Sequence, residues 1–242
     1  MTPALAQLTL QGPLSRDVLA AAAPHDAHVV ADLPFRGVAS VAVGYCPNVL
    51  VARITYVGEL GYELYVPADQ AADVHDRLVE AGAPFGLKHV GLKALGSLRL
   101  EKGYRDFGHD VDNCDTPYDV GLAFTLDYTK DFHGKAKCLQ HKAAKRTRRL
   151  VSIVLDDADA WAFHGEVVYR DGVVVGDVRA ASYGHTLGAC VGLAMVAPHD
   201  DAPATKKWID NGTWEVDVAG TRYPARASLA PPYDPKNEKI RV

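Results

Sequence analysis

Cysteine is scarce in this chain, with four in 242 residues. Cys46, Cys114, Cys138 and Cys190 lie far apart and form no C-x-x-C pair, which argues against a disulfide framework and against zinc. They read as reduced thiols of a cytoplasmic compartment, and no metal site is expected. Long apolar runs are also missing. None approaches the roughly 20 residues of a membrane span, so no membrane partner is expected. The first residues, MTPALAQLTLQG, have neither a charged start before an apolar run nor an Arg-rich amphipathic pattern. Neither sign of charge dominates. Lys and Arg number 26 against 30 acidic residues, a net of −4, which is not the footprint of a nucleic-acid surface. One basic cluster, Lys142 to Arg149 (KAAKRTRR), is short and lies between apolar segments. It reads as a solvated helix end or linker rather than a binding patch. There is no G-x-G-x-x-G fingerprint, so no flavin domain of the usual kind is expected here, and the chain is not expected to oxidise an amine alone.

What is present is a hydrophobic fraction of 48%, enough to build a core for one large or two medium domains. The most informative stretch is Arg53 to Pro67, RITYVGELGYELYVP. Val49 to Val57 and Tyr62 to Val66 are β-rich runs, and Gly58-Glu59-Leu60-Gly61 between them predicts a hairpin turn with a glycine at each end. With the turn centred on Glu59-Leu60, Tyr56 would face Glu63. Strand alternation places Glu63 and Tyr65 on one face and Tyr62, Leu64 and Val66 on the other, toward a core. A carboxylate between two tyrosines can grip a flat heterocycle: the carboxylate takes two parallel N–H bonds and the rings supply flat contact. Tyrosine is also an ordinary strand residue, and spacing alone favours that plainer reading.

Ahead of the hairpin, Leu8–Gln11 reads as a strand, Ser15 as the cap of a helix over 16–23, and Val38–Val43 as a strand. Behind it, 69–81 has helical spacing, and a second helix over 89–103 would bury Val90, Leu92, Ala94, Leu95 and Leu98. Gly91 and Gly96 in that helix suggest close packing against a strand. Arg99 and Glu101 read as salt-bridged structural groups. Residues 103–121 form a 19-residue loop rich in Asp and Gly, of the length that is often functional. The stretch 121–128 reads as a strand with Phe124 beside Leu122 and Leu126, and 131–145 as a helix. After Arg149 come six short strands with turns at Asp171-Gly172 and Ala219-Gly220, the pattern of a small antiparallel barrel or sandwich. The domain boundary is placed near residue 147, giving domains 1–147 and 148–242.

Several motifs occur in a recognisable order: TYVGELGYELYVP, GLKALGSLRLEKGYRDFGHD, TPYDVGLAFTL, DFHGK, GEVVYRDGVVVGDVRAASYGHTLGACVGLAMV and PPYDPK. Together they resemble the glycine-cleavage T-protein (aminomethyltransferase) superfamily over almost the whole chain. The details are most similar to the folate-binding C-terminal region of dimethylglycine and sarcosine dehydrogenases. T-proteins proper carry an arginine where this chain has Leu95, which favours the dehydrogenase branch. The resemblance implies an α+β fold, an antiparallel sheet with packed helices followed by a small C-terminal antiparallel β-barrel. It implies tetrahydrofolate as the cofactor, contacted by Tyr56, Glu63, Leu64, Tyr65 and, against its expected core role, Phe124. The implied reaction moves a one-carbon unit from a dimethylglycine- or sarcosine-type amine to tetrahydrofolate, within a larger enzyme with a fused or partner flavoprotein. The alternative is a non-catalytic folate-binding or regulatory module. In the family an aspartate from a subdomain well before the hairpin assists the transfer. Only 52 residues precede Arg53, and Asp32, the nearby acid, aligns with nothing. No catalytic acid or base is identified in this chain.

Overall fold

The computed structural model describes residues 4–200 and 202–242. Its contacts divide into two compact units. The first runs to Leu95 and takes in Lys236–Val242; the second is Gly96–Pro235.

The first unit contains β1 (Leu5–Gln11), α1 (Ser15–Ala22), α2 (Ala27–Asp32), β2 (Val38–Val43), β3 (Cys46–Ala52), β4 (Gly61–Pro67) and α3 (Ala71–Gly82). Its antiparallel sheet has the order β1-β4-β3-β2. β4 is therefore a central strand, with Leu64 opposite Leu8 on one side and Val51 on the other. Val41, Val43, Val49, Val51, Tyr62, Leu64 and Val66 turn to one face and pack with Val18, Leu19, Val74 and Leu78 of α1 and α3. The opposite face keeps the alternate β4 side chains. Ser15 is the first residue of α1 rather than its cap. Its Oγ donates to the Leu60 carbonyl at 3.2 Å, a long-range bond that replaces local capping.

The second unit takes in the C-terminal part of α4 (Leu92–Glu101), then α5 (Lys135–Ala143), β5 (Arg149–Leu155), β6 (Val167–Arg170), β7 (Val173–Gly184), β8 (Ala189–Val196), α6 (Lys206–Asp210), β9 (Trp214–Val218) and β10 (Thr221–Ser228). The six strands close into an antiparallel barrel in the order β10-β5-β8-β7-β6-β9. Val151, Ile153, Val178, Ala194, Val196 and Val216 fill it. The Asp171-Gly172 and Ala219-Gly220 turns hold both central residues at positive φ: 52° and 79°, then 51° and 88°. That is the conformation whose twist suits two-residue hairpins. Among the described residues no helix is long and apolar enough to cross a membrane.

Three further expectations are corrected. The helix predicted over 89–103 is α4, and it does not bury Val90, Leu92 or Ala94; Leu92 is 85% exposed. Its buried residues are Ser97, Arg99, Leu100 and Glu101, because specific polar partners outweigh the apolar stripe. A Cβ at Gly91 or Gly96 would meet nothing within 4 Å, so neither glycine marks close packing. Residues 121–128 form a short 3-10 turn, Ala123–Thr125, rather than a strand. Gly121 stands at φ 72°, and Thr125 Oγ1 donates to the Leu122 carbonyl at 2.7 Å.

Candidate functional site

Glu63 and Tyr65 lie two residues apart on β4. They are half-buried, while Tyr62, Leu64 and Val66 on either side are buried. Rows of core side chains on the opposite face fix this orientation, since a one-residue slip would bury the carboxylate. Tyr65 Oη donates to Glu63 Oε2 at 2.6 Å. That bond, reinforced by partial desolvation and the Glu63 charge, holds the Tyr65 phenol above its ordinary pKa. Leu64 is fully buried in the core, so its side chain cannot face a ligand on the Glu63 side.

Tyr56 is not on a strand. The β3–β4 ladder ends at Ala52 opposite Glu63, so the predicted Tyr56–Glu63 pairing is overturned. Residues 53–60 form an irregular connection instead. Its start is set by Arg53, whose buried guanidinium donates to the Leu33 carbonyl at 2.8 Å. Arg53 N also donates to the Gly37 carbonyl, and its own carbonyl accepts from Arg36 N. Those bonds lead the chain away from β4. Gly58 supplies a positive φ of 78°, whereas Gly61 begins β4 against the end of the Gln11 side chain. Val57 and Leu60 are buried, and Gly12 N donates to the Leu60 carbonyl at 2.8 Å. Tyr56 is thus carried, half-buried, on a loop anchored at both ends.

Phe124 belongs to the second unit and is 75% exposed, which rules out a core role. Asp32 is exposed at the end of α2.

In the second unit α4 presents the polar groups that order the long loop. Arg99 forms a two-pronged ion pair with Asp110, Nη2 to Oδ1 at 3.1 Å and Nη1 to Oδ2. Arg99 also donates to the Tyr104 carbonyl at 3.0 Å. Asp110 accepts from Asp106 N at 2.9 Å and bonds His109 Nδ1 at 3.0 Å. Glu101 Oε1 accepts from the backbone of Thr186 and Leu187 at 2.8 and 3.0 Å, tying the β7–β8 turn to α4. The salt-bridged structural role expected for this pair holds for Arg99. Glu101 pairs with backbone N–H groups instead. Asp110, fully buried, was not singled out in the sequence; its signal is an aspartate in a loop following a helix that carries an unmatched arginine. Among the described residues no group of three or more His, Cys, Asp or Glu could hold a metal ion.

Comparison with known proteins accords with this architecture. Residues 1–130 match the GCVT N-terminal domain, and residues 148–234 match the glycine cleavage T-protein C-terminal barrel domain. The chain is 42% identical over 243 aligned residues to a 4-methylaminobutanoate oxidase (formaldehyde-forming) of Paenarthrobacter nicotinovorans, covering 99% of this chain and 28% of that protein. It is 33% identical over 240 residues to the mitochondrial sarcosine dehydrogenase of Mus musculus, covering 98% of this chain and 26% of that one. The chain thus spans roughly a quarter of the length of these curated relatives. The crystal structure of the glycine cleavage system aminomethyltransferase T from Bartonella henselae superposes with a TM-score of 0.77 at 23% identity, over 94% of this chain and 59% of that one, a likeness of fold. Both domain matches and the sarcosine dehydrogenase homology lead to one conclusion: the chain belongs to the glycine-cleavage T-protein (aminomethyltransferase) family.

Proposed function

We propose that this chain is the tetrahydrofolate-handling part of a larger one-carbon transfer enzyme acting on a methylamine-type donor of the dimethylglycine or sarcosine class. The observation that carries the reading is the Glu63–Tyr65 pair on the outward face of a central strand. An ionised carboxylate offers about four acceptor sites. The Tyr65 hydroxyl takes one, which leaves room for two parallel N–H donors from an amino-pyrimidinone edge. The residues present therefore fit a pterin. Glu63 would anchor it, Tyr65 would hold the carboxylate in position, and Tyr56 would supply aromatic contact. Leu64 takes part through its neighbours, by keeping Glu63 and Tyr65 turned outward. When bound, tetrahydrofolate supplies the nitrogen that accepts the one-carbon unit. Nothing in this chain is assigned as the acid or base of the transfer, and that role falls to residues elsewhere in the larger enzyme, as does the flavin-dependent oxidation. We retain residues 148–242 as a separate barrel domain, and a cytoplasmic, reducing location for the four free thiols.

The test is NMR of the protein with ring-labelled tyrosines, titrated with tetrahydrofolate. Saturable shifts of the Tyr56 and Tyr65 resonances support the assignment. Saturable shifts confined to other tyrosines would place the ligand elsewhere.

A further inference from the structure

The basic run after α5 is not merely a solvated linker. It forms one wall of an open cavity of about 500 Å³ in the second unit, and the segment around Pro203–Lys206 forms the other. Ala204 N donates to the Arg146 carbonyl at 2.9 Å and holds the two segments together. The cavity is lined by Lys142, Lys145, Arg146, Arg149 and Lys206, with Leu229 and other apolar groups between them, and no carboxylate of the described residues lines it.

The charges in this wall are unequally satisfied. Lys142 Nζ lies 4.9 Å from the Tyr128 ring centre, and Arg146 Cζ lies 5.2 Å from that of Tyr118. Lys206 pairs with Asp210. Asp119, the acid nearest Arg149 in effect, is bound by Arg148 Nε at 3.4 Å. Among the described residues no ion pair or hydrogen bond to an acid is recorded for the Arg149 side chain. It opens β5, opposite Val196, so its backbone is fixed. Its Nε is buried and makes no hydrogen bond among the described residues. Desolvation and then the neighbouring Arg146 charge push its pKa down. An unpaired, partly desolvated guanidinium beside a second cation is costly unless an anion completes it.

We propose that the second unit carries an oxyanion site in this cavity, with Arg149 at its base, for a ligand bearing two or more carboxylate or phosphate charges on an apolar stem. A planar guanidinium suits both anion types through paired N–H bonds. A cavity of this size is in the range of small-molecule sites. The site is independent of the folate reading, since no residue is shared.

Calorimetric titration of the whole chain with pyrophosphate and with citrate, ionic strength held constant with NaCl, tests it. Saturable binding of either supports the site, and the tighter probe tells whether phosphate or carboxylate is the natural charge. Arg149→Met should weaken binding by about tenfold or more, and Lys145→Gln, an exposed change that leaves the fold intact, should weaken it less. Arg226→Gln removes the same charge from a surface pair with Asp156 and should leave binding unchanged. No saturable binding of either probe, or equal weakening by Arg149→Met and Arg226→Gln, would overturn the proposal.

Discussion

A hydroxyl 2.6 Å from a carboxylate is a bond whose energy depends on which proton is present. The Glu63–Tyr65 pair favours the neutral phenol, so the Tyr65 pKa is raised. The bond contributes fully below the ordinary tyrosine pKa and is lost as pH rises through the raised one. Glu63→Gln should bring the Tyr65 pKa down toward the ordinary value in an NMR titration of the labelled ring; an unchanged value would mean that the pair does not form in solution. In the second unit, Asp110→Ala would strand the buried Arg99 guanidinium. Removing one partner of a buried pair typically costs about 3–5 kcal/mol, and the midpoint of urea unfolding should fall accordingly. The double variant Arg99→Met with Asp110→Leu should recover much of that loss. The thiols differ by burial in the same way. Cys46 and Cys190 are buried, Cys138 is half-buried and Cys114 exposed. Burial also pushes the Cys190 thiol up. A thiol-exchange reagent at mildly alkaline pH should label Cys114 and Cys138 in the native protein, and Cys46 and Cys190 only after unfolding.

At the scale of elements, α4 departs most from its sequence pattern, and it offers a simple test. Gly96 sits in its interior with open space where a Cβ would project. Gly96→Ala should stabilise the protein by about 0.4–1 kcal/mol, because alanine restricts the unfolded chain and meets no obstacle in the folded one. A loss of stability in thermal unfolding would instead revive the close packing that Gly91 and Gly96 first suggested. The same helix shows why part of the structure was illegible. Its buried face is defined by Asp110 and by the Thr186 and Leu187 backbone, partners that helical periodicity cannot register. The barrel strands were readable because period-2 alternation and Asp-Gly turns are local signals. The outward placement of Glu63 and Tyr65 was readable for the same reason. The position of Tyr56 was not, because it depends on Arg53 reaching the Leu33 carbonyl, a bond across 20 residues. Phe124 was misplaced on a strand because an apolar alternation of three residues does not distinguish a strand from a short 3-10 turn.

At the scale of the whole molecule, the chain holds two compact units and matches both domains of the T-protein family. It nonetheless spans about a quarter of the length of the curated relatives named above. On the proposed reading, Glu63 and Tyr65 form one wall of a folate site, and no residue of this chain is given the acid–base chemistry. Tetrahydrofolate binding by this chain is accordingly expected to depend on the Glu63 carboxylate. The decisive measurement is calorimetry with tetrahydrofolate on the wild-type chain and Glu63→Ala. Each charge-assisted hydrogen bond lost should remove about 1.5–3 kcal/mol, so the variant should bind at least about tenfold more weakly. Equal affinity of the two proteins for tetrahydrofolate would contradict the assignment of the folate site to β4.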